Sequence, residues 1–388
     1  RDANALFKHL RECHSRVTMI IDHNLGGGAN LYGERFMREK LLGGSAVLLL
    51  YYDLPTLCYV VKIFDGRGDR IFRLHSLRLL VEFAQGASIE EIFVNNLVSL
   101  SEPLTLVDLL SRFRDLSGAR LTVAVHDYFM ICPSWTLLDY RGKFCGIPAI
   151  ATCRECMAPH AGAFTQLVRE RNIDKWRTIW LKCLGSADSI LCFSRSAAEL
   201  VQRAYPHLDN SKIVVKPHAV DYLPRREITA KTKRALHIGV VGEIVEHKGS
   251  GIIREMAEAI VDQGLPVRIT VIGTIDAPCN PSVVSVTGPY QIDQLSDLIE
   301  GHGITVCFIP SVWPETFSYV TEELMHLMMP LAVFDLGAPA ERVREYRQGL
   351  VIEEIDAVYA LRKLVEFDEQ LKNHDLETNS TIKSATAV

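Results

Sequence analysis

The chain has no run of 18 or more apolar residues among its 388, which excludes a membrane-spanning helix. Its ten cysteines are too sparse for a disulfide scaffold. No signal-peptide pattern follows Arg1, so the expectation is a reducing cytosol. A first residue other than Met points to a processed product or a piece of a larger multidomain chain. No basic stripe marks a nucleic-acid surface, and none is expected as a partner. No Asp-x-Asp is present to hold a cation for phosphate chemistry. The triple glycine at Gly26–Gly28 does not match the G-x-G-x-x-G dinucleotide fingerprint, which speaks against a nucleotide-dependent oxidoreductase or epimerase.

What is present is ordinary globular material, 48% hydrophobic and 23% charged. The length suits two domains rather than one. The net charge of −5 is uneven: residues 1–224 carry +4 and residues 225–388 carry −9. An anionic partner of the first half, such as a lipid-linked acceptor at the inner face of a membrane, fits that division.

Apolar runs alternate with amphipathic stretches. Strands are expected over 17–22, 46–52, 91–96, 121–125, 190–193 and 213–216, with helices such as 29–42, 104–116 and 197–204 between them. A break of Pro, His and mixed charge spans 217–232. Strands then resume over 236–241, 267–272, 283–286, 304–309, 331–334 and 350–352, separated by helices over 251–262, 292–300, 317–328 and 338–346. Such alternation predicts parallel sheets covered on both faces, that is, α/β domains in tandem. The boundaries read as 1–220, with a Cys-rich insertion at about 128–160, then 221–372, then a polar tail over 373–388.

The densest signal is Pro314-Glu315-Thr316-Phe317-Ser318-Tyr319-Val320-Thr321-Glu322-Glu323. Glu315 falls on the loop at the carboxyl end of a strand, and Glu323 inside the following helix. That edge of an open α/β sheet is where ligands bind, and a helix N-terminus there suits phosphate. Eight residues of helix span roughly 12 Å. Two carboxyls that share one glycosidic bond sit only ~5 to 9.5 Å apart. The pair therefore fits two separate jobs along an elongated ligand. It also fits two surface carboxylates near a helix start, which the macrodipole favours.

Glu-x7-Glu in this setting resembles the signature of retaining glycosyltransferases of family 4, the group 1 enzymes of bacterial polysaccharide assembly. The resemblance spans nearly the whole chain and is strongest over 236–350. It implies a GT-B fold, two facing Rossmann-like domains with a cleft between them. It implies a nucleoside-diphosphate sugar as donor and a glycan, lipid-linked or other hydroxyl acceptor. Glu315 would contact the transferred sugar and Glu323 the ribose hydroxyls. The alternative is a non-catalytic nucleotide-sugar or glycan-binding module of a larger polysaccharide synthase.

Other residues take roles from the same resemblance. Gly26, Gly27 and Gly28 follow the first strand and would touch the donor diphosphate; a tight strand-to-helix turn explains them equally well. His126 ends the strand over 121–125 and would contact the transferred sugar, although a lone His is more often structural. Gly242 and Lys248 lie on the first loop of the second domain, where a lysine can neutralise the leaving diphosphate. Glu243 stands where the family usually has an Arg; Arg195 and His247 are the compensating candidates. Phe317 and Ser318 open the helix that would face the phosphates. Val286-Thr287-Gly288-Pro289-Tyr290 matches a stretch whose backbone lines the base pocket. Catalysis would need no metal and no cofactor.

Separately, Cys132, Cys145, Cys153 and Cys156 form C-x12-C-x7-C-x2-C in a loop-rich segment. This spacing predicts a closed four-thiolate structural zinc site, with iron as the alternative. Without a metal, the segment would be a long floppy insertion.

Overall fold

The computed structural model describes residues 8, 16–66, 68–74, 76–79, 88–160, 170–220, 222–223, 228 and 235–385. The chain separates into two compact units, 1–218 and 219–388. Each contains a parallel Rossmann-like sheet.

In the first unit, β1 (Val17–Ile21) leads into α1 (Gly28–Leu42) and β2 (Ala46–Asp53). Next come β3 (Cys58–Phe64), β4 (Arg70–Leu74), β5 (Ile89–Val94), α2 (Pro103–Ser117) and β6 (Arg120–Val125). Helices α3 (Ile150–Met157) and α4 (Ile173–Ser186) precede β7 (Ser189–Cys192), α5 (Arg195–Ala204) and β8 (Ile213–Val215). The sheet order is β4-β3-β2-β1-β5-β6-β7-β8. From β2 to β8 the pairings are parallel, whereas β2–β3 and β3–β4 are antiparallel. The antiparallel extension was not expected from the sequence. Strand β4 alternates in burial, as a sheet edge with one wet face does, and β3 mixes buried with half-buried positions. Cys58 is half-buried at the start of β3. Edge strand β8 is three residues long, with Val214 and Val215 exposed.

Two tryptophans anchor α4. Trp176 and Trp180 lie one helical turn apart on the buried face, 0% and 2% exposed. Truncating either to Ala should cost ~3–5 kcal/mol. Asn172 caps the helix by accepting from the Lys175 N–H.

The second unit runs β9 (His237–Ile244), α6 (Ser250–Asp262), β10 (Arg268–Ile275), β11 (Val284–Val286), α7 (Leu295–His302) and β12 (Val306–Ile309). It continues with α8 (Tyr319–His326), β13 (Leu331–Phe334), α9 (Gly337–Val343), β14 (Gly349–Ile352) and α10 (Ala357–Ala385). The polar tail expected from 373 meets a helix that continues to Ala385. All pairings in this sheet are parallel, in the order β11-β10-β9-β12-β13-β14. Counted from β9 this is 3-2-1-4-5-6, the dinucleotide-fold order. One face packs on α6 and α10 through Ile253, Met256, Ile260, Leu361 and Leu364. The other packs on α7 to α9 through Leu295, Ile299, Leu324, Ala340 and Val343. Among the described residues, no helix is long and apolar enough to cross a membrane.

Candidate active site

Strand order decides where each unit can hold a ligand. In the second sheet the chain leaves β9 in one direction for β10 and β11, then returns to the other side of β9 as β12. The crevice between the loops after β9 and β12 is the switch point. Hydrogen bonding ties these two loops together, the Val312 N–H donating to the His247 carbonyl at 3.1 Å. Gly249 permits their approach: at φ 87°, a Cβ there would lie 2.0 Å from the Pro310 carbonyl oxygen.

Two predicted groups, Lys248 and Glu315, lie on the loops at this edge, and Glu323 lies on the helix that follows. Lys248 ends a 3-10 turn just before α6, half-buried, and among the described residues no carboxylate pairs with it. No side chain caps α6, which begins after Gly249, so its first N–H groups can meet an anion. Glu315 is buried at 8% exposure, and its carboxylate accepts from the Ser311 hydroxyl at 2.5 Å. Glu323 is buried on α8 at 6% exposure and accepts from the Tyr222 hydroxyl. Burial pushes the Glu323 carboxyl up, and the Tyr222 bond partly offsets that. Ser318 caps α8 by accepting from the Thr321 N–H, and Phe317 packs edge-on to Tyr319 at 5.1 Å. Gly242 lies within β9 at φ 117°. Glu243 also belongs to that strand rather than to the loop, with its side chain exposed. Tyr290 is pushed up to about 12 by burial and then by the charge of Glu323, which places the two side chains within electrostatic reach.

A cavity of about 600 Å³ opens at the opposite, amino-terminal edge of this sheet, lined by His237, Arg268 and His302 among others. It holds none of the predicted residues. The strand-order rule, which depends on where loops diverge, is the better guide to the ligand here.

The first sheet has its own switch point at β1, flanked by β2 and β5. Gly27 is the N-cap of α1 at φ 86°, with no side-chain cap on the helix. The Gly26 N–H donates to the Asn30 side chain at 2.6 Å, so that amide already has a partner. His126 follows β6, with its Nε2 2.8 Å from the Asn95 side-chain oxygen. It stacks on Phe193 at 4.5 Å, and Tyr32 and His218 stand 5.4 and 5.6 Å away. Burial first, then His218 and His23, hold the His126 imidazole well below the usual histidine range, so the ring is neutral at pH 7. Burial also lowers His23 to about 4 and His218 to about 3.

Asp22, His23, Asn95, His218 and Tyr222 were missed in the sequence. Asp22-His23 and Asn95-Asn96 follow β1 and β5, so the carboxyl-edge rule that selected His126 would have found them. No local pattern points to Tyr222, which meets Glu323 only through the fold.

The zinc expectation is not supported. Cys132, Cys145, Cys153 and Cys156 lie within electrostatic reach of one another. Yet among the described residues no three His, Cys, Asp or Glu side chains converge to hold a metal ion. Burial pushes the Cys132 thiol up to about 11, which favours the protonated form. The segment is ordered by other means. Trp176 Nε1 donates to the Phe129 carbonyl at 2.7 Å, and Arg177 Nε to that of Ile131 at 3.3 Å. The Tyr205 hydroxyl donates to the Met130 carbonyl, and His160 Nε2 lies 2.9 Å from that of Leu138. Helix α4 and its neighbours thus do the ordering that the spacing had assigned to a metal.

No known family profile matches the chain, and comparison with curated protein sequences returns no significant match. Solved structures do resemble it. HepE of Anabaena in complex with UDP is 10% identical, with 96% of this chain and 99% of that one covered, at a TM-score of 0.55. Sucrose-phosphate synthase from Thermosynechococcus elongatus is 13% identical over 96% and 99%, at 0.57. A glycosyltransferase from Rickettsia africae is 12% identical over 92% and 89%, at 0.56. At these identities the likeness concerns architecture: the chain has the two-domain Rossmann-like fold of the GT-B glycosyltransferases.

Proposed function

We propose that the chain is a retaining glycosyltransferase of the family 4 type, moving a sugar from a nucleoside-diphosphate donor to a hydroxyl acceptor. The observation that supports this reading is that Lys248 and buried Glu315 follow the two strands of the switch point in the second sheet, with buried Glu323 on the helix after Glu315. HepE has been solved with UDP and with UDP-glucose, which supports a nucleotide-sugar ligand for this fold.

Lys248 and the uncapped start of α6 bind the diphosphate, with Gly242 leaving room for it. Glu323 holds the ribose, and Glu315 orients the transferred sugar. Phe317 and Ser318 place the start of α8 against the donor. In the first unit, the Gly26–Gly28 loop and His126 offer groups that suit a phosphate or a sugar hydroxyl. During transfer, the bond between the anomeric carbon and the diphosphate oxygen breaks, and the acceptor oxygen bonds to that carbon on the same face. The acceptor's proton passes to the departing phosphate oxygen. Negative charge builds on that phosphate, where a lysine and helix N–H groups lower the barrier most. These steps require no metal ion. A lipid-linked acceptor would suit the +4 of residues 1–224.

A second reading, a binding module without turnover, is favoured by the exposed Glu243 and by Tyr222 seated on Glu323. A thermal-shift screen against UDP, GDP, ADP, CMP, dTDP and NAD tests both. Stabilisation by one nucleoside diphosphate, abolished in Glu323→Ala, supports the donor site. Transfer from the matching sugar nucleotide, abolished in Glu315→Ala, separates enzyme from module. Stabilisation by NAD alone would end both readings.

A further inference from the structure

Helix α9, which follows β13, meets the Pro314–Glu323 segment from outside it. Glu315 is held at three points. Its carboxylate accepts from the Ser311 hydroxyl, and its N–H donates to the Trp313 carbonyl at 2.9 Å. Both partners belong to its own loop. The third contact comes from α9, where the Ala338 N–H donates to the Glu315 carbonyl at 2.8 Å. Gly337 permits that approach. It opens α9 at φ 64°, and a Cβ there would lie 2.6 Å from the Pro314 carbonyl carbon and 2.7 Å from the Glu315 nitrogen. Both are backbone atoms, which no change of rotamer can move aside.

The far end of the same helix grips α8. Arg342 Nε donates to Glu322 Oε1 at 2.5 Å, and Nη2 to Oε2 at 3.2 Å, so one guanidinium holds both carboxylate oxygens. The Glu322 side chain is 17% exposed, which shields its end of the pair from solvent. Two parallel bonds fix an orientation where a single bond would leave a swivel. Glu323 is the next residue, about 100° further round the helix. A rotation of α8 that drew Glu322 off Arg342 would therefore also draw Glu323 off Tyr222.

We propose that Gly337 and Arg342 are positioning residues: through Gly337, α9 sets the Glu315 loop, and through Arg342 it sets the rotation of α8 and with it Glu323. The proposal rests on the reading of Glu315 as the sugar contact and Glu323 as the ribose contact, and deepens it. One short helix spaces the two carboxylates that meet opposite ends of the donor. The two anchors serve different parts of that ligand, so their losses are felt in different constants. Displacing Glu315 weakens contacts at the reacting sugar, whereas turning Glu323 weakens binding of the nucleoside in ground and transition state alike.

The test joins amide hydrogen exchange of the full chain, without ligand, to steady-state transfer kinetics on Gly337→Ala, Arg342→Gln and Arg342→Lys. Gly337→Ala should speed exchange at the Ala338 and Glu315 amides and lower kcat about tenfold, with the donor KM little changed. Arg342→Gln should speed exchange within α8 and raise the donor KM about tenfold, with kcat little changed. Arg342→Lys should resemble Arg342→Gln, because a point charge cannot hold both carboxylate oxygens in a fixed plane. Glu322→Ala combined with Arg342→Gln should be no worse than either change alone. Unchanged exchange in the Arg342 variants overturns the proposal, even where Gly337→Ala fails to fold. A lowered melting temperature with kcat and KM both unmoved marks α9 as ordinary packing and overturns it too. The expected exchange pattern in a protein that binds no nucleotide would remove the transferase reading and leave the hold of α9 on both glutamates standing.

Discussion

At the scale of the residue, the two glutamates of the signature differ in what holds them. Glu315 is oriented by a hydroxyl four residues upstream in the same loop, so Ser311 and Glu315 act as a local pair. Glu315→Gln keeps shape and burial and removes charge. Transfer should fall at least 100-fold while thermal stability moves by less than about 1 kcal/mol, measured by turnover and by calorimetry on one preparation. Glu323 depends instead on Tyr222, distant in sequence. Tyr222→Phe removes a bond that favours the charged carboxylate, so the Glu323 carboxyl should rise further and nucleotide affinity should begin to change at a higher pH than in the unaltered protein. Titration calorimetry at several pH values checks this; a pH-independent affinity would argue against a ribose contact by Glu323.

At the scale of the element, the second unit was largely legible in the sequence, and the reason is physical. Its central strands β10, β12 and β13 are buried on both faces, so they appear as apolar runs bounded by turns, and its sheet is parallel throughout. The Pro314–Glu323 stretch lies on consecutive elements, so sequence spacing translates directly into position. The first unit hid more. Strands β3 and β4 are half-wet and antiparallel, and a search for alternating parallel units passes over them. The histidine surroundings were hidden because Asp22, Asn95 and His126 come from three strands and meet only through their pairing order. The cysteine spacing was legible and misleading: four thiols close in sequence lie in a segment already ordered by Trp176, Tyr205 and His160. Chelation should therefore leave the melting temperature unchanged. Trp176→Phe, which deletes a buried donor and strands the Phe129 carbonyl, should cost about 1–3 kcal/mol in denaturant unfolding.

At the scale of the whole molecule, buried histidines set the response to acid. His23, His126 and His218 are held below their ordinary value of 6.5, chiefly by burial, and so is His247 in the second unit. In the unfolded chain each takes up a proton near pH 6.5, while the fold refuses it until about pH 4 for His23 and His247, until about pH 3 for His218, and until well below 6.5 for His126. Their stabilisation is thus complete above pH 6.5 and is lost as pH falls toward 4, by up to ~1.4 kcal/mol per pH unit per histidine. Asp22 and Asp127, raised to about 7 and about 6, act in the opposite sense, binding protons in the fold before they do in the unfolded chain. His237 is lowered by burial as well and Glu323 raised, so five histidines against three carboxyls leave a net loss on acidification. His218→Gln should flatten the slope of unfolding free energy between pH 4 and 6.5, as followed by urea titration at stepped pH. The edges of the sheets bear on a different property of the molecule. Strand β8 carries two exposed valines but stops after three residues, and Lys216 and Pro217 follow it. Proline offers no N–H to an incoming strand, and a lysine charge discourages stacking of like copies. The brevity of β8 thus guards the concentrated protein against edge-to-edge polymerisation. Pro217→Val should shorten the lag before fibril formation in a dye-binding assay.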